Sequence, residues 1–102
     1  MGKFAHRLSS TEAMLRVTVS ALMRACDENQ TSLAKSIGIT QGQLSRKQTG
    51  GAAYSFGDLD KLSAHYGIPV PDLVAGPSHA LSKLSPVRLA QTVGGRQEVI
   101  TV

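Results

Sequence analysis

Residues 29–50 read NQTSLAKSIGITQGQLSRKQTG. Asn29 reads as a helix N-cap, because a short polar side chain there accepts a bond from an orphan backbone N–H. Thr31 to Ile37 makes about two turns, with Leu33, Ala34 and Ile37 on one side. Gly38 stops it, since glycine takes the left-handed conformation at a helix end. Thr40 is the next N-cap and opens a helix from Gln41 to Thr49, which Gly50-Gly51 stops. Two short helices joined so tightly must approach closely. That requires a small residue at the contact, a turn residue free to take positive φ, and branched apolar residues locking the angle. Ala34, Gly38, and Leu33, Ile37, Ile39 and Leu44 supply these in turn. A plain helical hairpin has the same needs, so spacing alone leaves a DNA-binding helix-turn-helix and an ordinary hairpin both open.

Towards the N-terminus, residues 1 to 8 lack periodicity and are expected to be loose. Ser9 followed three residues later by Glu12 reads as a capping box. Leu15, Val19, Leu22 and Cys26 then form one apolar stripe, predicting a helix that fades near Asp27-Glu28. Towards the C-terminus, Ser55 caps a fourth helix with Phe56, Leu59, Leu62 and Tyr66 as its expected buried stripe, ended by Gly67. Pro71 suits the first turn of a short fifth helix through Val74, and Gly76-Pro77 is expected to close the unit. The expectation is an all-α fold: residues 1–9 loose, 10–76 a five-helix domain whose helices 2 and 3 form the helix-turn-helix, and 77–102 a C-terminal tail. In the tail, Leu81, Leu84, Leu89 and Val93 suit a short helix, while Glu98 to Val102 is β-prone and suits a dimerisation strand.

Composition narrows the function classes. The 102 residues are 41% hydrophobic with no Trp, so the core is built from Leu, Ile, Val, Met and Ala. No run of about 18 apolar residues is present, and no membrane partner is expected. No secretory leader is recognisable, so a cytoplasmic setting is expected. The lone Cys26 allows no intramolecular disulfide or cysteine cage. On the apolar stripe of the first helix it reads as buried and inert. His6, His65 and His79 have no metal-ligand spacing, and His65 reads as a surface or helix-packing residue. No nucleophile elbow, phosphate loop or carboxylate pair stands out, so neither catalysis, metal nor cofactor is expected. The net charge of +4 is modest, but its placement matters. Residues 1–50 carry seven basic against three acidic side chains, residues 51–102 four of each, and residues 29–50 three basic and no acid.

The segment and its flanks resemble the Cro/repressor (Xre-type) helix-turn-helix family, most closely the lambdoid phage repressors. The match runs through Asn29-Gln30, Leu33-Ala34-Lys35, Ile37-Gly38, Thr40-Gln41, Leu44 and Gly50. It continues through Ser55-Phe56, Leu59, Leu62-Ser63, Tyr66-Gly67-Ile68 and Asp72-Leu73, covering about residues 15 to 75. The resemblance implies that the third helix enters the major groove while the second crosses the phosphate backbone. By position it makes Gln41, Gly42 and Arg46, with Gln43 and Ser45 beside them, the base readers. Glutamine suits adenine N6/N7 and arginine suits guanine O6/N7. It makes Asn29, Gln30, Lys35, Thr40 and Lys47 the backbone contacts. The chain departs from the family pattern at Lys47 and Glu28, where apolar residues are usual, and at Gly42 inside the recognition helix.

The resemblance implies a transcriptional regulator, most simply a repressor binding a pseudo-palindromic operator as a homodimer. A different class also fits: an antitoxin-type interaction protein whose tail covers a protein partner while its helix-turn-helix controls its own operon.

Overall fold

The structure, a computed structural model, describes residues 9–85. Six helices occur among them: α1 Ser10–Ala25, α2 Gln30–Ile37, α3 Gln41–Thr49, α4 Phe56–Tyr66, α5 Val70–Leu73 and α6 Pro77–Lys83. The expected loose residues 1–8, the strand at Glu98–Val102, and Leu89 and Val93 lie outside the described residues.

Short polar residues start the first four helices. Ser9 Oγ accepts from the Glu12 N–H at 3.4 Å. Asn29 with Ser32, Thr40 with Gln43, and Ser55 with Asp58 form reciprocal capping boxes, each satisfying two backbone donors. α1 continues through the β-branched run Val17-Thr18-Val19 because two of those three are buried, and the Thr18 hydroxyl donates to the Met14 carbonyl at 2.9 Å. Tertiary burial outweighs weak local propensity here. α1 ends through a feature hidden in its acidic pair. Asp27 takes φ 56°, the Asp27 N–H donates to Arg24 O and the Glu28 N–H to Met23 O. This is a Schellman closure with aspartate where glycine is usual. Gly38 closes α2 in the same way at φ 78°, its N–H bonding Lys35 O while that of Ile39 bonds Ala34 O.

Two expectations are corrected. Phe56, expected in the buried stripe of α4, is 87% exposed. At about 100° per residue, Asp58, Leu59, Leu62 and Tyr66 share one arc, and Phe56 falls outside it at the first helical position. Among the described residues there are six helices rather than the expected five, because Gly76-Pro77 opens a helix instead of closing the unit. Gly76 takes φ 118° and Pro77 occupies the first turn, where its missing N–H costs nothing. Residues 77–84, expected as the start of a tail, thus deliver Ala80 and Leu84 to the core.

The core gathers Leu15, Val19 and Leu22 from α1, Leu33, Ala34 and Ile37 from α2, Leu44 from α3, Leu62 and Tyr66 from α4, and Leu73 from α5. Cys26 is only partly buried at its edge. α1 packs on α6 and α3, α2 on α3 and α4, and α5 joins α4 to α6. No helix among the described residues is long and apolar enough to cross a membrane.

Candidate nucleic-acid interface

α3 buries one residue, Leu44. Helical geometry then determines the rest of its surface. Lys47 and Gln48 flank Leu44 on the inner arc, about 60° to one side and about 40° to the other. Gly42, Arg46 and Thr49 share the opposite arc and are exposed. Gln41 lies about 60° from Leu44, on the side of Gln48, and Gln43 about 100° away on the other side; both are exposed, and Ser45 is half-buried. Open space surrounds Gly42: a side chain added there would meet nothing within 4 Å.

The expected site residues therefore divide. Gly42 and Arg46 are presented outward together, and Gln41, in the first turn, is exposed to one side of them. Gln30 joins them from the start of α2, its Oε1 accepting from Gln41 Nε2 at 2.8 Å. Both helices of the motif thus contribute to one polar surface. Lys35 is exposed on α2. Asn29, Thr40 and Gln43 use their side chains in the capping boxes, Gln43 Oε1 accepting from the Thr40 N–H at 2.9 Å. Gln43 is thereby turned back along the helix and keeps only its amide NH₂ for an outside partner.

Lys47 points away from this face. Its ammonium lies 2.8 Å from Asp58 Oδ2 and 3.2 Å from the Ala53 carbonyl, and 5.9 Å over the Tyr54 ring. The departure at Lys47 is compensated by an ion pair that ties the end of α3 to the first turn of α4. Burial by itself raises the Asp58 carboxyl, but the Lys47 ammonium and the Ser55 N–H and hydroxyl outweigh it and hold it below its ordinary 3.8. Because the folded carboxyl titrates below its unfolded value, the stabilisation is present above the ordinary aspartate range. It is lost as pH falls through the lowered value. Asp58→Asn is expected to lower Tm at pH 7 and to flatten its decline between pH 5 and about 2. Thermal melts across that range check this, and parallel Tm–pH curves for both proteins would contradict it.

Glu28, the second departure, is also engaged. It accepts from the Tyr66 hydroxyl at 2.5 Å and pairs with His65 Nε2 at 2.5 Å. The loop entering α2 is thereby anchored to α4; His65, expected as a surface or helix-packing residue, is the α4 partner in that contact.

Sequence reasoning missed Gln48. Its Nε2 donates to the Arg16 carbonyl at 3.1 Å and to Ser20 Oγ at 3.0 Å, and its Oε1 accepts from the Tyr54 hydroxyl at 2.5 Å. The only hint in the sequence is a polar residue on the inner arc of α3; its partners lie 6 to 32 residues away. Arg24 has no sequence signal either. Exposed in the last turn of α1, it lines a cleft of about 360 Å³ with Ser20, Asp27, Glu28, Gln30 and Gln48. Arg24, Lys35 and Arg46 are each exposed, one on each of the first three helices, and offer cations to a polyanion.

A family model described as the Cro/C1-type HTH DNA-binding domain matches residues 18–75. No curated protein and no solved structure matches the chain.

Proposed function

The chain belongs to the Cro/C1-type helix-turn-helix DNA-binding family, and on that premise we propose that it is a sequence-specific transcriptional repressor acting on double-stranded DNA. The observation that carries this reading is the exposed arc of Gly42 and Arg46 with Gln41 at its shoulder, held to Gln30 across the turn. α3 would lie in the major groove, Arg46 reading a guanine and Gln41 an adenine. Gln30, Lys35 and the first turn of α2 would meet the phosphates. One domain presents one reading helix, so a two-fold dimer would read two half-sites about 34 Å apart on a pseudo-palindromic operator. Repression would follow from occupancy, the bound dimer excluding polymerase or a competing regulator. The dimer contact assigned to residues 98–102 lies outside the described residues and remains part of this proposal.

In vitro selection from random duplexes at fixed salt tests the whole reading. An enriched palindrome is the expected result, and a pool that stays random overturns it. Lys35→Ala is expected to weaken binding to every sequence by a similar factor. It should also shallow the log–log salt dependence by about one unit, the signature of one lost phosphate contact. An unchanged slope would remove Lys35 from the backbone contacts.

A further inference from the structure

We infer that Gln48 is a positioning residue for base reading: its amide clasps α3 to α1 and sets the roll of the reading face about Leu44. This rests on the DNA-binding function proposed above. α3 buries only Leu44. Apolar contact is non-directional, so a single leucine holds the helix down without choosing its rotation about its own axis. Rotation is chosen by directional bonds on either side of that leucine. On one side Lys47 reaches Asp58 of α4. On the other, Gln48 reaches the Arg16 carbonyl and Ser20 hydroxyl of α1. Both amide hydrogens of Gln48 are used, and its oxygen takes the Tyr54 hydroxyl. Three segments, α1, α3 and the 50–55 loop, meet at one side chain.

The clasp is robust. Burial, with Asp58 nearby, pushes the Tyr54 phenol well above its ordinary range, Arg16 opposing, so the hydroxyl stays a donor. The lever is short. A roll of about 10° moves a group about 6 Å from the helix axis by about 1 Å, enough to spoil a two-point hydrogen bond to a base edge. Phosphate attraction is far less sensitive to such a shift, because it depends weakly on direction. Loss of the clasp therefore reduces discrimination between sequences more than it reduces attachment to DNA.

The test uses the full chain. Gln48→Met keeps the length and apolar stem of the side chain and removes the three bonds. The periodic variation of amide residual dipolar couplings along α3 reports its rotation about its own axis as well as its direction relative to α1, α2 and α4. Titrations with a selected duplex and a random duplex at one salt concentration report the preference. In Gln48→Met, α3 is expected to rotate about its own axis and the preference to fall about tenfold or more, while binding to random duplex stays within about twofold. Tyr54→Phe and Ser20→Ala each remove one bond and should shift both readouts less, in the same sense. They replace Gln48→Met if that variant does not fold. Wild-type couplings for α3 in these variants overturn the inference, and so does a reoriented helix with unaltered preference. Should the wild type itself prefer no sequence, the proposed function fails, and the couplings alone decide whether Gln48 orients the helix.

Discussion

Leu44→Ala is expected to destabilise the domain by about 2–5 kcal/mol, the usual range for deleting a buried leucine side chain. Leu44 is completely buried and is the one residue through which α3 enters the core. Its neighbours on the inner arc, Lys47 and Gln48, are occupied by polar partners. They are poorly suited to collapse into the space a leucine leaves. Domains of this size are stable by about 5–15 kcal/mol, so the loss is a large fraction of the total. Urea unfolding followed by far-ultraviolet circular dichroism measures it. A change below about 1 kcal/mol would mean that α3 is held by its polar clasps rather than by its leucine. Where the variant remains folded at low temperature, its DNA affinity should fall as well, because the face proposed to read bases is carried on the helix that has lost its anchor.

Arg46→Ala is expected to cost about 1–3 kcal/mol per half-site on the selected operator and to relax preference at one base pair. The side chain is exposed on the outer arc. Its removal should leave the unfolding midpoint near that of the wild type. Binding to random duplex should change little. Equal losses on selected and random duplexes would reassign Arg46 from a base to a phosphate. Gly42→Ala separates two readings of the neighbouring glycine. A methyl group there meets no protein atom within 4 Å and adds helix propensity, so the fold is expected to gain slightly. Weaker operator binding by that stable variant would show that the backbone at Gly42 approaches the DNA closely. Unchanged binding would show that the position is simply open.

The helix boundaries are legible in the sequence because each is written in local chemistry. Asn29, Thr40 and Ser55 start helices by satisfying backbone donors three residues away, and Gly38, Gly50 and Gly67 stop them with positive φ. Expectation and structure part where a local signal has two meanings. Gly76-Pro77 punctuates an end as readily as it opens a helix, and the burial of Ala80 and Leu84 against the other helices decides between them. Phe56 has the right spacing from Leu59, but the buried arc of α4 extends the other way, to Asp58. Asp58 caps α4, and it is also the counter-ion of Lys47.

The outward face of α3 is set by sequence alone once Leu44 is taken as the buried position. Helical periodicity then sends Gly42 and Arg46 to the opposite side. What periodicity cannot supply is the use made of the remaining polar groups. Gln43 and Gln48 are the same residue type on the same helix. One folds back onto the Thr40 N–H three residues away, and the other spans to Arg16 and Ser20, 32 and 28 residues away. The sequence by itself determined the first five helices, the turn and the outward face of α3, because those depend on interactions within a few residues. Only the tertiary structure decided how α3 is held, and that Lys47 and Glu28 face inward. A hydrogen bond or ion pair between distant segments exists only after the core has brought them together.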